Sequence, residues 1–142
     1  MKHLSKLIGA SLLLIALAIP QSAIYAGPSL KVLGWGAKSG PLKSFGVNSE
    51  AALRSAVAEI NSAGGVRMGD GSMAPMEVIG YEDSACKKDE AIAILRKTAS
   101  TTDAIVGMGT TCSGVCQAMF GVLQKKVEDT SDSGGQMPIL AD

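Results

Sequence analysis

The sequence has almost none of the residues that catalyse reactions or hold transition metals. Its single histidine, His3, lies in the N-terminal segment, so no histidine follows in the rest of the chain. Catalytic Ser-His or Cys-His arrangements and histidine-bearing metal sites are therefore excluded beyond that segment. Aromatic residues make up only 4% of the chain, with one tryptophan and two phenylalanines. Each aromatic side chain outside a predicted core is consequently a candidate for a binding surface.

Residues 1–26 have the pattern of a secretory signal peptide. Two lysines give the segment a basic start, and an apolar run of 13 residues, Leu7–Ile19, follows. A helix needs about 20 apolar residues to span a bilayer, so this run is too short to do so. Small residues then precede the predicted cleavage site after Ala26, with Ala23 as the second candidate. We predict that residues 27–142 form the exported protein.

The exported part is long enough for one domain at most. Without the two lysines of the signal peptide, 11 basic residues (13 minus 2) face 13 acidic residues, which gives a net charge of −2. This balance gives no electrostatic surface for nucleic acid, and we expect no nucleic-acid partner. Export also exposes the chain to oxidising conditions, under which paired cysteines form disulfides.

Apolar runs and amphipathic stretches alternate along residues 27–142. Short apolar runs predict four strands, and apolar residues at helical spacing predict three helices between them. The predicted strands are Leu30–Gly36, Pro75–Tyr81, Asp103–Gly109 and Met137–Asp142, and the predicted helices cover 48–65, 87–100 and 113–127. This β-α-β-α-β-α-β order is typical of an α/β protein with a parallel sheet and helices on both faces.

The first predicted helix follows a loop, "AKSGPLKSFG", which comes directly after the first strand. Asn48 or Ser49 is predicted to cap this helix, and Gly64 or Gly65 to end it in a left-handed turn. Phe45 then falls in the loop, where an aromatic side chain is either an isolated surface residue or the wall of an apolar pocket. Ligands of parallel sheets bind beyond the carboxyl ends of the strands, so this loop is a place to look for function.

The glycine and cysteine motifs match no common nucleotide-binding or redox site. The segments "GWGAKSG" and "GMGTTCSG" both depart from G-x-G-x-x-G, and no P-loop sequence is present. Cys112 and Cys116 are spaced C-x-x-x-C rather than C-x-x-C, which argues against a thioredoxin-like pair. A Cys112 nucleophile would lack a histidine base, so we expect no catalytic residue, no cofactor and no enzyme.

Three cysteines leave one pair and one residual thiol. Cys86 follows the second predicted strand and Cys112 the third, so the two would lie close together if those strands end on the same side of the sheet. A bond between Cys112 and Cys116 would close only one helical turn and would stabilise little. The pattern therefore favours a Cys86–Cys112 disulfide, with Cys116 as a small apolar residue on the helix.

Ser113 stands at the start of the third predicted helix, in the strand-end loop "TTCSG". One interpretation is an N-cap, because serine is favoured at that position. The other is a ligand contact, because the first turn of a helix exposes unpaired N–H groups that suit a carboxylate or phosphate. The two interpretations are compatible, and both stay open at this point.

Four segments of the chain resemble a known protein family. They are "SGPLKSFG", "AVAEINSAGGV", "EDSACKKDEAIAILRK" and "DAIVGMGTTCSG". In this order and at this spacing they resemble the type I periplasmic solute-binding proteins, in particular the branched-chain amino acid (Leu/Ile/Val) binding proteins of ABC transporters. The resemblance implies a two-lobed periplasmic protein, monomeric when full length, that binds an amino acid-like ligand and delivers it to an inner-membrane ABC permease. Residues 27–142 would form the first part of lobe 1, with the second lobe absent.

The resemblance also implies roles for individual residues. Ser113 matches a residue that contacts the α-carboxylate of the ligand, and Phe45 and Thr111 match positions that line the side-chain pocket. Cys86 and Cys112 match the family's disulfide, so that Cys112 borders the pocket. Polar Thr111 departs from what a leucine pocket favours, which leaves branched-chain amino acids, other amino acids, amides and urea-like solutes open.

Two other functions compete with the transport role. A ligand-sensing ectodomain on the same fold, for an amide or amino acid, is the main alternative, and an exported thiol enzyme that uses Cys112 is the weaker one. The sequence stops as the fourth strand ends, at Asp142. We therefore expect the chain to be the N-terminal piece of a longer gene product.

Overall fold

The computed structural model describes residues 27–109, 111–123 and 138–140. The predicted signal peptide lies outside the described residues, as do the last turn of the third predicted helix and both ends of the fourth predicted strand. The elements in chain order are β1 Leu30–Gly36, α1 Lys43–Ser62, β2 Val66–Arg67, β3 Met73–Ala74, β4 Met76–Asp83, α2 Lys88–Thr101, β5 Val106–Met108, α3 Ser113–Leu123 and β6 Ile139–Leu140.

Four of the strands form one parallel sheet in the order β4-β1-β5-β6. The chain passes from β1 to β4 on one side, then crosses back to β5 on the other side of β1. The direction of winding therefore reverses between β1 and β5. In open parallel sheets, the ligand binds in the crevice beyond the carboxyl ends of the two strands at this reversal. The prediction of a parallel α/β sheet is confirmed. The glycine-rich connection between α1 and β4, for which the sequence predicts no helix or strand, contains a small antiparallel hairpin, β2–β3.

Helices cover both faces of this sheet, as predicted. Successive side chains of β1 point to opposite faces, so β1 contributes to two apolar clusters. Helix α1 packs on one face, and α2 and α3 pack on the other. The first cluster contains Val32, Leu53, Val57 and Tyr81. The second contains Leu33, Trp35, Ala91, Leu95, Cys112, Val115 and Met119.

Helix α1 begins earlier than the sequence predicts, at Lys43 instead of after Asn48 or Ser49. The expected cap is wrong: Leu42 occupies the N-cap position, without a side-chain hydrogen bond. Gly46 supplies the physical reason, because its missing side chain lets the first turn of α1 lie against the backbone of Ala37. That contact with the end of β1 is tertiary, and it holds the first turn in place of a side-chain cap.

The C-terminus of α1 ends as predicted, in left-handed backbone. Gly64 and Gly65 have φ values of 103° and 83°, and the N–H of Gly65 donates to the carbonyl of Ile60 at 2.9 Å. This arrangement satisfies a carbonyl that would otherwise lack a partner at the helix end. Within the described part of the chain, no helix combines the length and the apolar character needed to cross a bilayer.

The contact at Gly46 can be tested against a second helical glycine. A Cβ at position 46 would collide with the backbone of Ala37, whereas a Cβ at Gly121 in α3 would meet no atom within 4 Å. We expect Gly46→Ala to lower the free energy of unfolding by about 1–3 kcal/mol, the usual cost of overpacking. Gly121→Ala should raise it by about 0.5–1 kcal/mol, because alanine favours a helix. Urea unfolding of both variants measures the difference, and equal effects would show that the contact at Gly46 does not constrain α1.

Candidate functional site

The carboxyl edge of the sheet brings together three loops and the starts of three helices. The loops follow β1, β4 and β5, and strand order places them side by side with the end of β1 in the middle. Helix α1 starts after the loop that follows β1, α2 after the loop that follows β4, and α3 after the loop that follows β5. The first turn of a helix carries unpaired N–H groups with partial positive charge. The edge therefore has the backbone chemistry of a site for an anionic group.

A disulfide between Cys86 and Cys112 joins the loop after β4 to the loop after β5, with their Cα atoms 5.8 Å apart. The predicted pairing is confirmed. Cys116 is a free, buried thiol one helical turn further along α3, also as predicted. Because the sulfur of Cys112 is held in this bond, it cannot serve as the thiolate nucleophile of an enzyme while the bond is intact.

The backbone beside the disulfide is left-handed at two residues that are not glycine. Ala85 and Cys86 have φ values of 48° and 58°, a region that residues with a Cβ rarely adopt. Hydrogen bonds hold this turn: the N–H of Ser84 donates to the carbonyl of Gly36, and the N–H of Lys87 donates to the carbonyl of Ser84, each at 2.8 Å. The turn is thus fixed to the end of β1 as well as to the loop after β5.

Asp83, the last residue of β4, joins the loop after β1 to the loop after β4. Its Oδ1 accepts hydrogen bonds from the N–H groups of Lys38 and Ala85, each at 2.8 Å. Burial is the largest single influence on the pKa of Asp83 and raises it. Hydrogen bonds from the Ser39 hydroxyl and from the N–H groups of Ala85, Lys38 and Ser39 together outweigh burial, so the pKa lies below its ordinary value. Asp83 is therefore a carboxylate that organises two of the three loops.

Lys38 anchors the loop after β1 to the neighbouring elements. Its ammonium forms an ion pair with Glu50 of α1 at 2.5 Å and lies 5.6 Å from the centre of the Tyr81 ring. Glu50 also accepts two hydrogen bonds from Arg54, at 3.1 and 2.8 Å. The hydrogen bonds from Lys38 and then Arg54 lower the pKa of Glu50. Both cations of this cluster, Lys38 and Arg54, bind the Glu50 carboxylate, which indicates a brace rather than a ligand contact.

The structure places Ser113 at the first position of α3, with an exposed side chain. The N–H groups of Val115 and Cys116 both donate to the carbonyl of Cys112, at 2.8 and 3.0 Å. The residue whose carbonyl accepts the first helical hydrogen bond is the N-cap, so Cys112 holds that position, and the N-cap interpretation of Ser113 is wrong. The hydroxyl of Ser113 instead lies in the first turn, next to the helix N–H groups.

Phe45 lies in the first turn of α1 and not in a loop, because α1 begins at Lys43. Its side chain is 56% exposed, and its neighbours Leu42 and Val47 are also exposed apolar residues. Thr111 lies between β5 and α3 and is half-buried, with its Oγ1 buried. Phe45 and Thr111 therefore stand on the two segments that flank the reversal between β1 and β5.

Sequence reasoning missed Asp83 and Lys38, which hold the loops at this edge. A signal for Asp83 was present, because aspartate at the end of a strand commonly accepts a hydrogen bond from the N–H two residues later. The N–H of Lys38, in contrast, lies 45 residues away in sequence, and no local pattern points to it. In the residues that the structure describes, no group of three or more His, Cys, Asp or Glu side chains could hold a metal ion.

Comparison with solved structures identifies the fold. LivJ of Streptococcus pneumoniae, a branched-chain amino acid transporter substrate-binding protein solved with isoleucine, matches 80% of this chain with 23% identity and a TM-score of 0.61. An ABC-type branched-chain amino acid transporter protein of Rhodopseudomonas palustris matches 80% with 22% identity and a TM-score of 0.60. A substrate-binding periplasmic protein of Ralstonia solanacearum matches 79% with 18% identity and a TM-score of 0.62. No protein-family model and no curated protein matches.

These similarities show that the chain has the fold of the periplasmic binding proteins, as the sequence resemblance implied. The chain is much shorter than the proteins it matches. It spans 28% of the length of the Streptococcus and Ralstonia proteins and 27% of the Rhodopseudomonas protein.

The disulfide is expected to stabilise the folded protein. Replacing Cys86 and Cys112 together by serine releases a constraint between positions 26 residues apart. We expect this change to lower the free energy of unfolding by about 3.5 kcal/mol in the loop-entropy model. Guanidinium unfolding without reductant measures the loss, and adding reductant should make the unmodified protein match the double variant. An unmodified protein that is insensitive to reductant would contradict the assigned bond.

The lowered pKa of Asp83 predicts a pH dependence. A carboxyl group with a lower pKa in the folded state stabilises the protein above its unfolded pKa, about 4, and this contribution is lost as the pH falls through the folded pKa. Asp83→Asn keeps an acceptor oxygen but does not titrate. We expect the variant to be less stable at neutral pH, with the difference closing below about pH 4. Urea unfolding at a series of pH values measures both curves, and curves that stay parallel would contradict the role of the charge.

Proposed function

We propose that this chain forms part of a binding site for an amino acid-like solute, at the carboxyl edge of its sheet. One observation carries the proposal: the disulfide fixes the loop with Thr111 and Ser113 at the point where the winding of the sheet reverses. This point is where open α/β sheets bind their ligands. The shared fold supports the proposal, because a matched structure was solved with isoleucine.

The groups at the carboxyl edge suit both the carboxylate and the side chain of an apolar amino acid. The first turn of α3 offers unpaired N–H groups and the Ser113 hydroxyl, and both stabilise a carboxylate. The exposed ring of Phe45 offers an apolar surface for a side chain. We therefore assign the α-carboxylate to Ser113 and the side-chain pocket to Phe45 and Thr111, with Cys112 at its border.

The biological setting follows from the same proposal. The solute-binding component would be exported by residues 1–26, would work in the periplasm as a monomer and would deliver its solute to an inner-membrane ABC permease. Because the chain spans about a quarter of the length of the proteins it matches, we propose that a complete site includes further residues that this chain does not supply. In this proposal residues 27–142 are the first part of lobe 1.

The structure bears differently on the two alternative functions, the thiol enzyme and the ligand sensor. An enzyme that uses Cys112 as a nucleophile is not supported, because the sulfur of Cys112 is bonded to that of Cys86. A ligand sensor would use the same edge and the same residues, and no described contact favours it over transport. We propose the transport role, because the matched branched-chain amino acid proteins are transporter components.

The role of Ser113 gives a direct test of the proposed site. Ser113→Ala removes one donor from a carboxylate, so we expect isoleucine binding to weaken by about 1–3 kcal/mol. Ser100→Ala is the matched control, because this exposed serine of α2 bonds only to backbone carbonyls of its own helix among the described contacts. Calorimetry measures both on a protein that includes the further residues of the proposed site and is purified from the periplasm. Equal affinities for Ser113→Ala and the unmodified protein would show that the carboxylate binds elsewhere.

A further inference from the structure

Three buried polar atoms at the carboxyl edge have no hydrogen-bond partner among the described residues. They are Trp35 Nε1, Ser84 Oγ and Thr111 Oγ1. Trp35 and Ser84 are fully buried, with 0% of each residue exposed. Nearly all buried polar groups in native proteins are hydrogen-bonded, and an internal water supplies the bond where the protein does not. Each of these three atoms therefore calls for a hydrogen-bond partner beyond the protein groups described.

Strand order brings the three residues to the same end of adjacent strands. Trp35 is the last residue but one of β1, the central strand of the three. Ser84 directly follows β4, and its N–H donates to the carbonyl of Gly36, next to Trp35, at 2.8 Å. Thr111 follows β5 on the other side of β1. The three polar groups thus come from three neighbouring strand ends.

The packing of Trp35 brings the edge of its indole ring close to Gly109, at the start of the loop after β5. A Cβ at Gly109 would lie 3.2 Å from Trp35 Cδ1, the ring carbon bonded to Nε1. Gly109 has a φ of 143°, and its missing side chain is what allows the loop to approach Trp35 this closely. Thr111 lies two residues further along this loop.

The disulfide connects this region to Ser84. Trp35 and Cys112 belong to the same packed cluster, and Cys86 packs against it. Ser84 precedes Cys86 by two residues, and Thr111 immediately precedes Cys112, while the Cα atoms of the two cysteines are 5.8 Å apart. Ser84 and Thr111 therefore lie within two residues of the bonded cysteines, on the two loops that the disulfide joins.

We propose that Trp35 Nε1, Ser84 Oγ and Thr111 Oγ1 form an internal site that binds a water molecule beside the Cys86–Cys112 disulfide. An indole N–H only donates, whereas a serine or threonine hydroxyl both donates and accepts. A water that accepts from Trp35 and bonds to both hydroxyls makes three hydrogen bonds, the usual number for buried water. This water ties the ends of β4, β1 and β5 together, behind the surface that faces a solute.

The chemistry of the three atoms favours water over an ion or the solute itself. None of the three groups carries a charge at neutral pH, so the set lacks the charge that a buried ion requires. Trp35 and Ser84 have no exposed surface, so a solute in the cleft does not reach them. The proposed water site therefore lies in the protein interior, shares only Thr111 with the proposed solute site, and stands whether or not the chain binds an amino acid.

A high-resolution crystal structure of the unmodified protein tests the proposal directly. The expected result is an ordered water oxygen within about 3.2 Å of Trp35 Nε1 and of at least one of the two hydroxyls. Direct hydrogen bonds from Nε1 to a protein acceptor, or a region without water density, would overturn the proposal.

A second measurement uses the fact that Trp35 is the only tryptophan, so its indole N–H gives a single resonance in an NMR spectrum. We expect Ser84→Ala and Thr111→Val each to shift this resonance, because each removes a partner of the shared water. Thr111→Ser keeps the hydroxyl and should restore the position. Thr101→Val is the control, because the hydroxyl of this exposed residue of α2 bonds to the Lys97 carbonyl. An indole resonance that moves in neither variant would also overturn the proposal.

Discussion

The disulfide between Cys86 and Cys112 is the constraint on which the carboxyl edge of this molecule depends. It joins two loops that follow non-adjacent strands, β4 and β5, and β1 ends between them. Cys112 is also the N-cap of α3, because its carbonyl accepts the first helical hydrogen bonds. One covalent bond therefore fixes a left-handed turn, a loop and the start of a helix relative to the sheet. The position of Ser113 follows from that of Cys112.

Two further side chains, Asp83 and Lys38, hold the backbone of this edge through polar contacts. Asp83 accepts hydrogen bonds from the loop after β1 and from the turn that carries Cys86. Lys38 binds Glu50 of α1 and packs over Tyr81 of β4. These polar groups are satisfied by the protein itself, whereas the side chains of Phe45 and Ser113, in the first turns of α1 and α3, are exposed. The division between groups that brace the edge and groups that remain accessible is the physical basis of the proposed binding site.

The sequence patterns predicted the strands and helices that depend on interactions between residues close in sequence. The apolar run Leu30–Gly36 and the periodic stretch of α2 became a strand and a helix within one residue of the predicted bounds. The start of α1 could not be predicted, because it depends on the contact between Gly46 and Ala37, which forms only in the folded chain. The brace at Asp83 was missed for the same reason, since its partner at Lys38 is distant in sequence. The disulfide could be predicted, because parallel strands that alternate with helices bring the loops after their carboxyl ends to one edge of the sheet.

Mapping isoleucine binding by NMR tests whether the solute site lies at the carboxyl edge. We expect a titration of the labelled protein to shift the backbone signals of Thr111 to Val115 and of Phe45, at the starts of α3 and α1. The signals of Asp70 and Ser72, in the hairpin loop between β2 and β3, should stay unchanged, because this loop lies away from the carboxyl edge. Shifts confined to the hairpin, or no shifts at saturating isoleucine, would contradict a solute site at the carboxyl edge.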